Sequence, residues 1–177
     1  MNQGGTLTID DLEAKIRSIP NFPKPGVLYR DITPLIADGP YFKTAIDLMA
    51  APYHAVDHIV SIESRGFVFG APMAYKLGAG LVTVRKVGRL PGKTLQEDYE
   101  LEYGVNTVEI HSDAIKPGQR VIIVDDLLAT GGTIRAAVNL VERLDAELVG
   151  VCVLIELSEL EGRKKLEGHD VRSLVVF

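Results

Sequence analysis

The chain has 177 residues, 46% of them hydrophobic and 24% charged, so it is long enough to bury one sizeable core. Seventeen glycines and nine prolines are too few for a collagen-like or disordered chain. A formal net charge of −5 argues against the broadly basic surface of a nucleic acid-binding protein. We therefore expect a single domain spanning residues 1–177, with any phosphate binding confined to a local site.

Cysteine usage and hydropathy indicate the compartment. Cys152 is the one cysteine of the sequence, and it lies in the apolar run VGVCVLIEL, which is typical of a buried strand. At the N-terminus no basic stretch precedes an apolar one, and no apolar segment approaches the length that a bilayer requires. We expect a cytoplasmic protein that does not contact a membrane.

The N-terminal 35 residues form the first predicted region. In TIDDLEAKIRSIP, Thr8 is placed to cap a helix and Asp11 follows three residues later, while Leu12, Ile16 and Ile19 share one apolar face. The next segment, NFPKPGVLYRDITP, is so rich in proline and glycine that we expect an ordered loop without regular structure. We call residues 1–35 the hood.

Helix-like and strand-like segments alternate through the rest of the chain. The predicted helices are PYFKTAIDLMAA, GFVFGAPMAYKLG and TIRAAVNLVERL. The predicted strands are HIVSIES, GLVTVRK, TVEIHSD, RVIIVDD, ELVGVCVLIEL and RSLVVF. Alternation implies crossover connections, and continuous apolar runs such as VIIV are typical of strands covered on both faces. We predict a three-layer α/β fold, with a mostly parallel sheet and helices on both faces.

One region has no clear period. Residues 86–104 are polar and contain glycine, and we interpret them as a candidate mobile lid. We assign no functional residue to the last twenty residues of the chain.

The segment RVIIVDDLLATGGTIRAAVNLVERL carries the strongest functional signal. A buried strand leads into Asp125 and Asp126, then into the loop ATGGT, then into a helix. Ligands of open α/β sheets collect at this end of a strand, and the N-terminus of a helix favours a phosphate. Two carboxylates beside a bound phosphate are suited to accept hydrogen bonds from sugar hydroxyls. The pattern indicates a site for a ribose 5-phosphate.

A plainer interpretation stays open at this point. The same residues could form an ordinary strand-to-helix turn, in which the acids bond to nearby main chain and the glycines supply positive φ angles. A kinase or dehydrogenase is disfavoured, because the sequence contains neither G-x-x-x-x-G-K-[ST] nor a helix-opening G-x-G-x-x-G.

The run VIIVDDLLATGGT resembles the motif with which type I phosphoribosyltransferases bind phosphoribosyl pyrophosphate (PRPP). Four further segments resemble the adenine phosphoribosyltransferases, in order along the chain: FPKPGVLYRDITP, ESRGFVFGAP, RKVGRLPGKT and YELEYG. The resemblance implies the type I phosphoribosyltransferase fold and a purine-salvage enzyme. Such an enzyme transfers the 5-phosphoribosyl group of PRPP to adenine N9 and yields AMP and pyrophosphate.

The resemblance also implies which residues bind PRPP. Asp125 and Asp126 would serve the sugar and stabilise the positive charge that develops on it during transfer. The pyrophosphate would meet Ser64 and Arg65, because a guanidinium at a strand end can hold it with two hydrogen bonds. The other implied PRPP-binding residues are Arg85, Lys86, Arg89, Tyr103, Ala129, Thr130, Gly131, Gly132 and Thr133. A surface salt bridge is the alternative for Arg65, and a solvated surface position is the one we accept for Lys93.

Base recognition is expected in GVLYR. Tyr29 would stack on the purine, while main-chain groups of Val27, Leu28 and Arg30 meet its edge, although Tyr29 could equally be an ordinary core aromatic. Many relatives carry phenylalanine at the position of Tyr29, and either residue offers an aromatic face. By resemblance, Glu102 is a catalytic acid or base that reaches adenine N7, although the residues alone make it one of many exposed acids.

Cofactor and assembly follow from the same resemblance. PRPP implies Mg²⁺, which prefers phosphate oxygens and water, so we predict no direct protein ligand. Relatives form homodimers, and we expect one here. Two other functions stay open: transfer to another purine base, and a PRPP-binding regulator without catalysis. The regulator is disfavoured, because the chain has no spare length for a DNA-binding segment.

Overall fold

The structure is a computed structural model that describes residues 6–100 and 105–177, without the side chain of Glu100. The chain divides into two compact units, one ending at Leu48 and the other running from Met49 to Phe177. None of the described helices is long and apolar enough to cross a membrane.

The N-terminal unit combines short helices with a two-stranded ribbon. Its elements are α1 (Ile9–Lys15), β1 (Arg17–Pro20), β2 (Leu28–Asp31), α2 (Thr33–Ile36) and most of α3 (Gly39–Ala50). Thr8 caps α1 as predicted, since its hydroxyl accepts from the Asp11 amide while the Asp11 carboxylate accepts from the Thr8 amide.

Two predictions for this unit are wrong. The first helix ends at Lys15 and does not continue through Ile19, because Arg17–Pro20 pairs antiparallel with Leu28–Asp31. The latter strand lies in the segment for which we predicted no regular structure. Arg17 also donates to the Asp31 carboxylate at 2.6 Å, which ties the two strands together. Strand pairing, a contact between distant residues, therefore overrides the local helix pattern.

The C-terminal unit contains a seven-stranded, mostly parallel sheet. Its strands are β3 (His58–Ile62), β4 (Gly80–Lys86), β5 (Thr94–Glu100), β6 (Val105–His111), β7 (Arg120–Leu128), β8 (Glu147–Glu156) and β9 (Val171–Val176). The strand order is β5-β6-β4-β3-β7-β8-β9, with β6 antiparallel to both of its neighbours. The remaining pairs are parallel. This topology confirms the predicted fold class.

The two long helices of this unit, α4 (Gly66–Leu77) and α5 (Gly132–Arg143), cover opposite faces of the sheet. Val60 and Ile62 of β3 belong to the core that α5 completes with Ile134, Ala137, Val138 and Val141. The alternate residues of β3 face α4, because Gly70 lies against Ser61 and Ile59. Both faces of β3 are therefore buried, as its continuous apolar run predicted.

The candidate lid contains more regular structure than we predicted. Residues 94–100 form β5, which pairs along its whole length with β6. The preceding turn is held by Glu109, whose buried carboxylate accepts from the amides of Arg89 and Leu90 at 2.9 Å each. Burial acts to raise the pKa of Glu109, but these hydrogen bonds outweigh it and the net pKa is lowered. Residues 101–104 lie outside the described part of the chain.

Gly70 allows α4 to lie close to the sheet, which gives a test of the packing. A Cβ at position 70 would overlap the Ser61 side chain, lying 2.6 Å from its Cβ, whereas a Cβ at Gly39 in α3 would meet nothing within 4 Å. We expect Gly70→Ala to lower the free energy of unfolding by about 1–3 kcal/mol through overpacking. Gly39→Ala is the control and should be neutral or stabilising, because alanine favours helix. Urea unfolding of both variants measures this, and equal stabilities would contradict the close packing.

Candidate active site

Three parallel strands bring their carboxyl ends to the same edge of the sheet. In the sheet, β3 lies between β4 and β7. The next strand along the chain, β4, pairs with one side of β3, and the later strand β7 pairs with its other side. The sheet order therefore reverses next to β3, and such a switch point is where open α/β sheets bind ligands. Predicted site residues from three separate segments, 64–65, 85–89 and 125–133, follow or end these strands.

The end of β7 forms a pocket with the loop that follows it. The residues that line this pocket are Asp125, Leu127, Ala129, Thr130, Gly131, Gly132, Thr133 and Ile134. Gly131 is the residue before α5 and has a φ of 78°, a conformation that favours glycine. Among the residues that the structure describes, no side chain caps this helix start. The first amides of α5 therefore face a pocket in which an anion could accept from them.

Two adjacent acids lie beside the pocket. The Asp125 carboxylate accepts from the Asp126 amide at 2.9 Å, and Asp126 is buried with an ion pair from its Oδ2 to Arg65 Nη2 at 2.8 Å. Burial raises the pKa of Asp125 well above its usual value, and the neighbouring charge of Asp126 raises it further. Burial also raises the pKa of Asp126, against the opposing effect of Arg65. Ionisation of both carboxyl groups therefore lowers the free energy of unfolding.

Gly66 makes room for this pair. It is the first residue of α4, and a Cβ there would lie 2.8 Å from Asp125 Oδ1 and 3.1 Å from the Val124 carbonyl oxygen. Gly66 belongs to the strand-end loop predicted to meet the pyrophosphate, but no role of its own was predicted for it. The signal was present in ESRG, where a glycine opens a helix immediately after a predicted strand-end loop.

Arg65 and Arg85 both extend from this edge. Arg65 is half-buried and contacts Asp126, which shows that the loop after β3 touches the end of β7. Arg85 pairs through Nε with Glu63 at 2.5 Å and donates from Nη1 to the Arg89 carbonyl oxygen at 3.1 Å. Glu63, which orients Arg85, is another residue for which the sequence indicated no role. The peptide bond between Glu63 and Ser64 is cis.

The remaining predicted site residues are distributed as follows. Ser64, Lys86, Arg89 and Thr130 are exposed, and Lys86 ends β4. Val27, Leu28, Tyr29 and Arg30 lie in the N-terminal unit, where Leu28 to Arg30 belong to β2. The Tyr29 ring is half-buried and packs edge-on against the Phe22 ring, with 5.1 Å between the centroids. Glu102 and Tyr103 lie outside the described residues.

Comparisons with known proteins match almost the whole chain. The family model of the phosphoribosyl transferase domain matches residues 36–176. An adenine phosphoribosyltransferase of Symbiobacterium thermophilum is 54% identical over 169 residues, covering 94% of this chain and 99% of the relative. One of Carboxydothermus hydrogenoformans is 55% identical over 171 residues, covering 94% and 99%. The chain belongs to the adenine phosphoribosyltransferase family.

Solved structures of adenine phosphoribosyltransferases have the same fold. The enzyme of Thermoanaerobacter pseudethanolicus superimposes with a TM-score of 0.93 at 50% identity, covering 96% of this chain and 100% of that one. The Saccharomyces cerevisiae enzyme, solved with adenine and an imino-altritol bisphosphate, gives a TM-score of 0.90 at 42% identity over 94% and 97% of the chains. The chain is therefore a pentosyltransferase of purine salvage, as its resemblance to this family predicted.

The raised pKa of Asp125 predicts how replacing this acid with a neutral residue changes the stability of the protein. A carboxyl whose pKa is higher in the folded state stabilises the fold below its unfolded pKa of 3.8, and this contribution is lost as the pH rises through the folded pKa. Asp125→Asn keeps an acceptor for the Asp126 amide but cannot ionise. We expect it to be more stable than the unaltered protein at pH 8, by about 1 kcal/mol or more, because the cost of burying a charge at this position is removed.

Urea unfolding between pH 4.5 and pH 8 measures this difference, which should shrink toward the acidic end. Asp113→Asn is the control, since Asp113 is an exposed acid in the turn after β6 and should give the same stability as the unaltered protein at every pH. An Asp125→Asn variant that is less stable at pH 8 would contradict the inferred burial cost.

Proposed function

We propose that the pocket at the end of β7 binds the 5-phosphate of PRPP and that phosphoribosyl transfer to adenine takes place beside it. The observation that supports this most is the uncapped start of α5, preceded by Gly131 and open to the pocket. Its amides and the partial positive charge of the helix end are suited to a phosphate dianion. The proposed contacts are Ala129, Thr130, Gly131, Gly132 and Thr133.

The pyrophosphate of PRPP is assigned to the basic residues at the same edge. Arg65 is half-buried next to Asp126, and Arg85 is oriented by its ion pair with Glu63. Ser64, Lys86 and Arg89 are exposed around them and complete the proposed set. Pyrophosphate would compete with Asp126 for the Arg65 guanidinium, because both are anions that this side chain can bind.

Asp125 and Asp126 are assigned to the ribose. During transfer the bond between the anomeric carbon and pyrophosphate breaks, and its electron pair leaves with pyrophosphate. Adenine N9 supplies the electron pair of the new bond, and the base loses one proton overall. Positive charge develops on the sugar between these events, and two carboxylates beside it stabilise that charge. Their oxygens also accept hydrogen bonds from the ribose hydroxyls.

Mg²⁺ is proposed as the cofactor. No group of three or more histidine, cysteine, aspartate or glutamate residues within 6–100 and 105–177 is placed to hold a metal. Asp125 and Asp126 offer the oxygen donors that Mg²⁺ prefers, but two acids are an incomplete ligand set. The residues therefore fit an ion held mainly by PRPP oxygens and water. Bound there, Mg²⁺ would neutralise charge on the pyrophosphate that leaves.

Adenine recognition is assigned to the main chain around Tyr29. β2 pairs with β1 and forms one edge of a two-stranded ribbon, so some of its main-chain groups face away from the pairing. A carbonyl oxygen in Val27–Arg30 that meets the purine 6-position would accept from an amino group and oppose a keto oxygen. The Tyr29 ring would stack on the base. This arrangement favours adenine without a dedicated polar side chain.

Glu102 is proposed as the acid or base at adenine N7, and Tyr103 as part of lid closure over PRPP. Both roles rest on the family motif YELEYG. We further propose residues 86–104 as a mobile lid, residues 1–35 as a hood that binds the base, and a single catalytic domain over residues 1–177. A homodimer in the cytoplasm, binding neither nucleic acid nor membrane, completes the proposal.

A panel of bases tests the substrate. The protein is incubated with PRPP, Mg²⁺ and one of adenine, hypoxanthine, guanine, xanthine or orotate, and nucleotide formation is followed by chromatography. We expect AMP from adenine, with discrimination on the order of a few kcal/mol against the keto purines, since each would leave a buried acceptor unpaired. Orotate should not react, because its carboxylate has no proposed partner. Faster IMP or GMP formation would overturn the assignment of the base.

Glu102→Gln tests the catalytic assignment. The variant keeps the size of the side chain but removes its ability to exchange a proton, so we expect kcat to fall about 100-fold or more while the KM for PRPP changes little. The control is Asp113→Asn, which removes one exposed acid elsewhere and should leave both constants unchanged. An unchanged kcat in Glu102→Gln would return Glu102 to the class of ordinary surface acids.

A further inference from the structure

The C-terminal segment contacts the loop that we propose to bind the 5-phosphate. After β8 the chain forms two short 3-10 helices, Ser158–Leu160 and Gly162–Leu166. Gly162 is buried and lies directly against the loop between β7 and α5. The residues that line the pocket are Asp125, Leu127 and residues 129–134, and Gly162 is not among them. Gly162 therefore touches the loop without being part of the pocket wall.

The contact leaves no room for a side chain on either partner. A Cβ at Gly162 would overlap the Ala129 carbonyl oxygen and would lie 2.8 Å from the Gly131 amide nitrogen. In the opposite direction, a Cβ at Gly131 would overlap the Gly162 carbonyl oxygen and would lie 3.2 Å from its Cα. Backbone thus packs on backbone, and the position of Gly162 limits where Ala129 and Gly131 can be.

Neighbouring contacts hold Gly162 in place. Arg163, the next residue, pairs through Nε with Glu156 at 3.0 Å and donates from Nη1 to the Val171 carbonyl oxygen at 2.7 Å. Glu156 is almost fully buried at the end of β8 and also accepts from the Ser173 hydroxyl. Leu166, at the end of the same 3-10 helix, belongs to the core beneath α5. The residues that follow Gly162 thus fix this segment to the sheet and to the core.

We propose that Gly162 is a positioning residue for the 5-phosphate site, which holds the Ala129–Gly131 backbone where its amides meet the phosphate. The inference rests on the proposed function of that loop. Ligands that carry a 5-phosphate should depend on residue 162, whereas adenine should not. The loop must remain at one position to within a few tenths of an ångström, since charge-assisted hydrogen bonds are short and directional.

The test compares Gly162→Ala with Gly168→Ala. Gly168 belongs to the same C-terminal segment and has a φ of 90°, but a Cβ there would meet nothing within 4 Å. Alanine at 168 therefore strains the backbone without touching the loop. Titration calorimetry with ribose 5-phosphate gives the dissociation constant, steady-state kinetics give the KM for PRPP and for adenine, and thermal unfolding gives Tm.

We expect Gly162→Ala to raise the dissociation constant for ribose 5-phosphate at least tenfold and the KM for PRPP in parallel. The KM for adenine at saturating PRPP should stay within twofold. Gly168→Ala should lower Tm but bind ribose 5-phosphate within twofold of the unaltered protein. Unchanged ribose 5-phosphate binding in Gly162→Ala, or an equal rise in both KM values, would overturn the inference.

If Gly162→Ala does not fold, a second pair of variants tests the positioning role of Gly162. Arg163→Ala removes the ion pair next to Gly162, and Arg172→Ala removes an exposed pair between Arg172 of β9 and Asp170. We expect Arg163→Ala to bind ribose 5-phosphate severalfold more weakly than the unaltered protein. Arg172→Ala should bind it with unchanged affinity. Equal binding by both variants would overturn the role of Gly162. Failure of the unaltered protein to bind ribose 5-phosphate would instead overturn the proposed phosphate site, and this inference with it.

Discussion

The parallel pairing of β3 with β7 determines where the chemistry of this protein can take place. The register aligns Ser61 with Val124, so the residues that follow them, from Glu63 to Arg65 and from Asp125 onward, emerge at the same edge. The pairing of β3 with β4 brings Arg85 to that edge as well. Packing on both faces of β3 fixes the register, because a slip by one residue would exchange the side chains that meet α4 for those that meet α5. Core packing and site assembly are thus the same constraint.

The acids at this edge lie in an environment that disfavours their charge. Burial raises the pKa of both Asp125 and Asp126, and within the described residues Arg65 is the cation that the structure pairs with Asp126. A fold selected for stability alone would place neutral residues there. The arrangement suits a bound sugar on which positive charge develops. Low polarity around the two acids strengthens the attraction between their carboxylates and that charge. The site is therefore maintained against the preference of the fold.

Glycines make the close contacts on which the site depends. Gly66 leaves space for Asp125, and the pair Gly131 and Gly162 lets the C-terminal segment touch the loop between β7 and α5. A Cβ at Gly66 would collide with a carboxylate, and a Cβ at Gly131 or Gly162 would collide with main-chain atoms. The candidate site consequently depends on three parts of the chain that are distant in sequence, and not on ATGGT alone.

The sequence by itself determined the mostly parallel sheet and the helices on both of its faces, and it predicted a phosphate site at residues 125–133, because hydrophobic period and strand-to-loop-to-helix order are local properties. It did not determine the ribbon of Arg17–Pro20 with Leu28–Asp31, or the strand at residues 94–100, since both depend on partners elsewhere in the chain. The pairing of Arg65 with Asp126 and the contact of Gly162 with Ala129 were likewise decided by tertiary structure. These contacts join residues that are 61 and 33 positions apart, and no pattern within either segment specifies the distance between them.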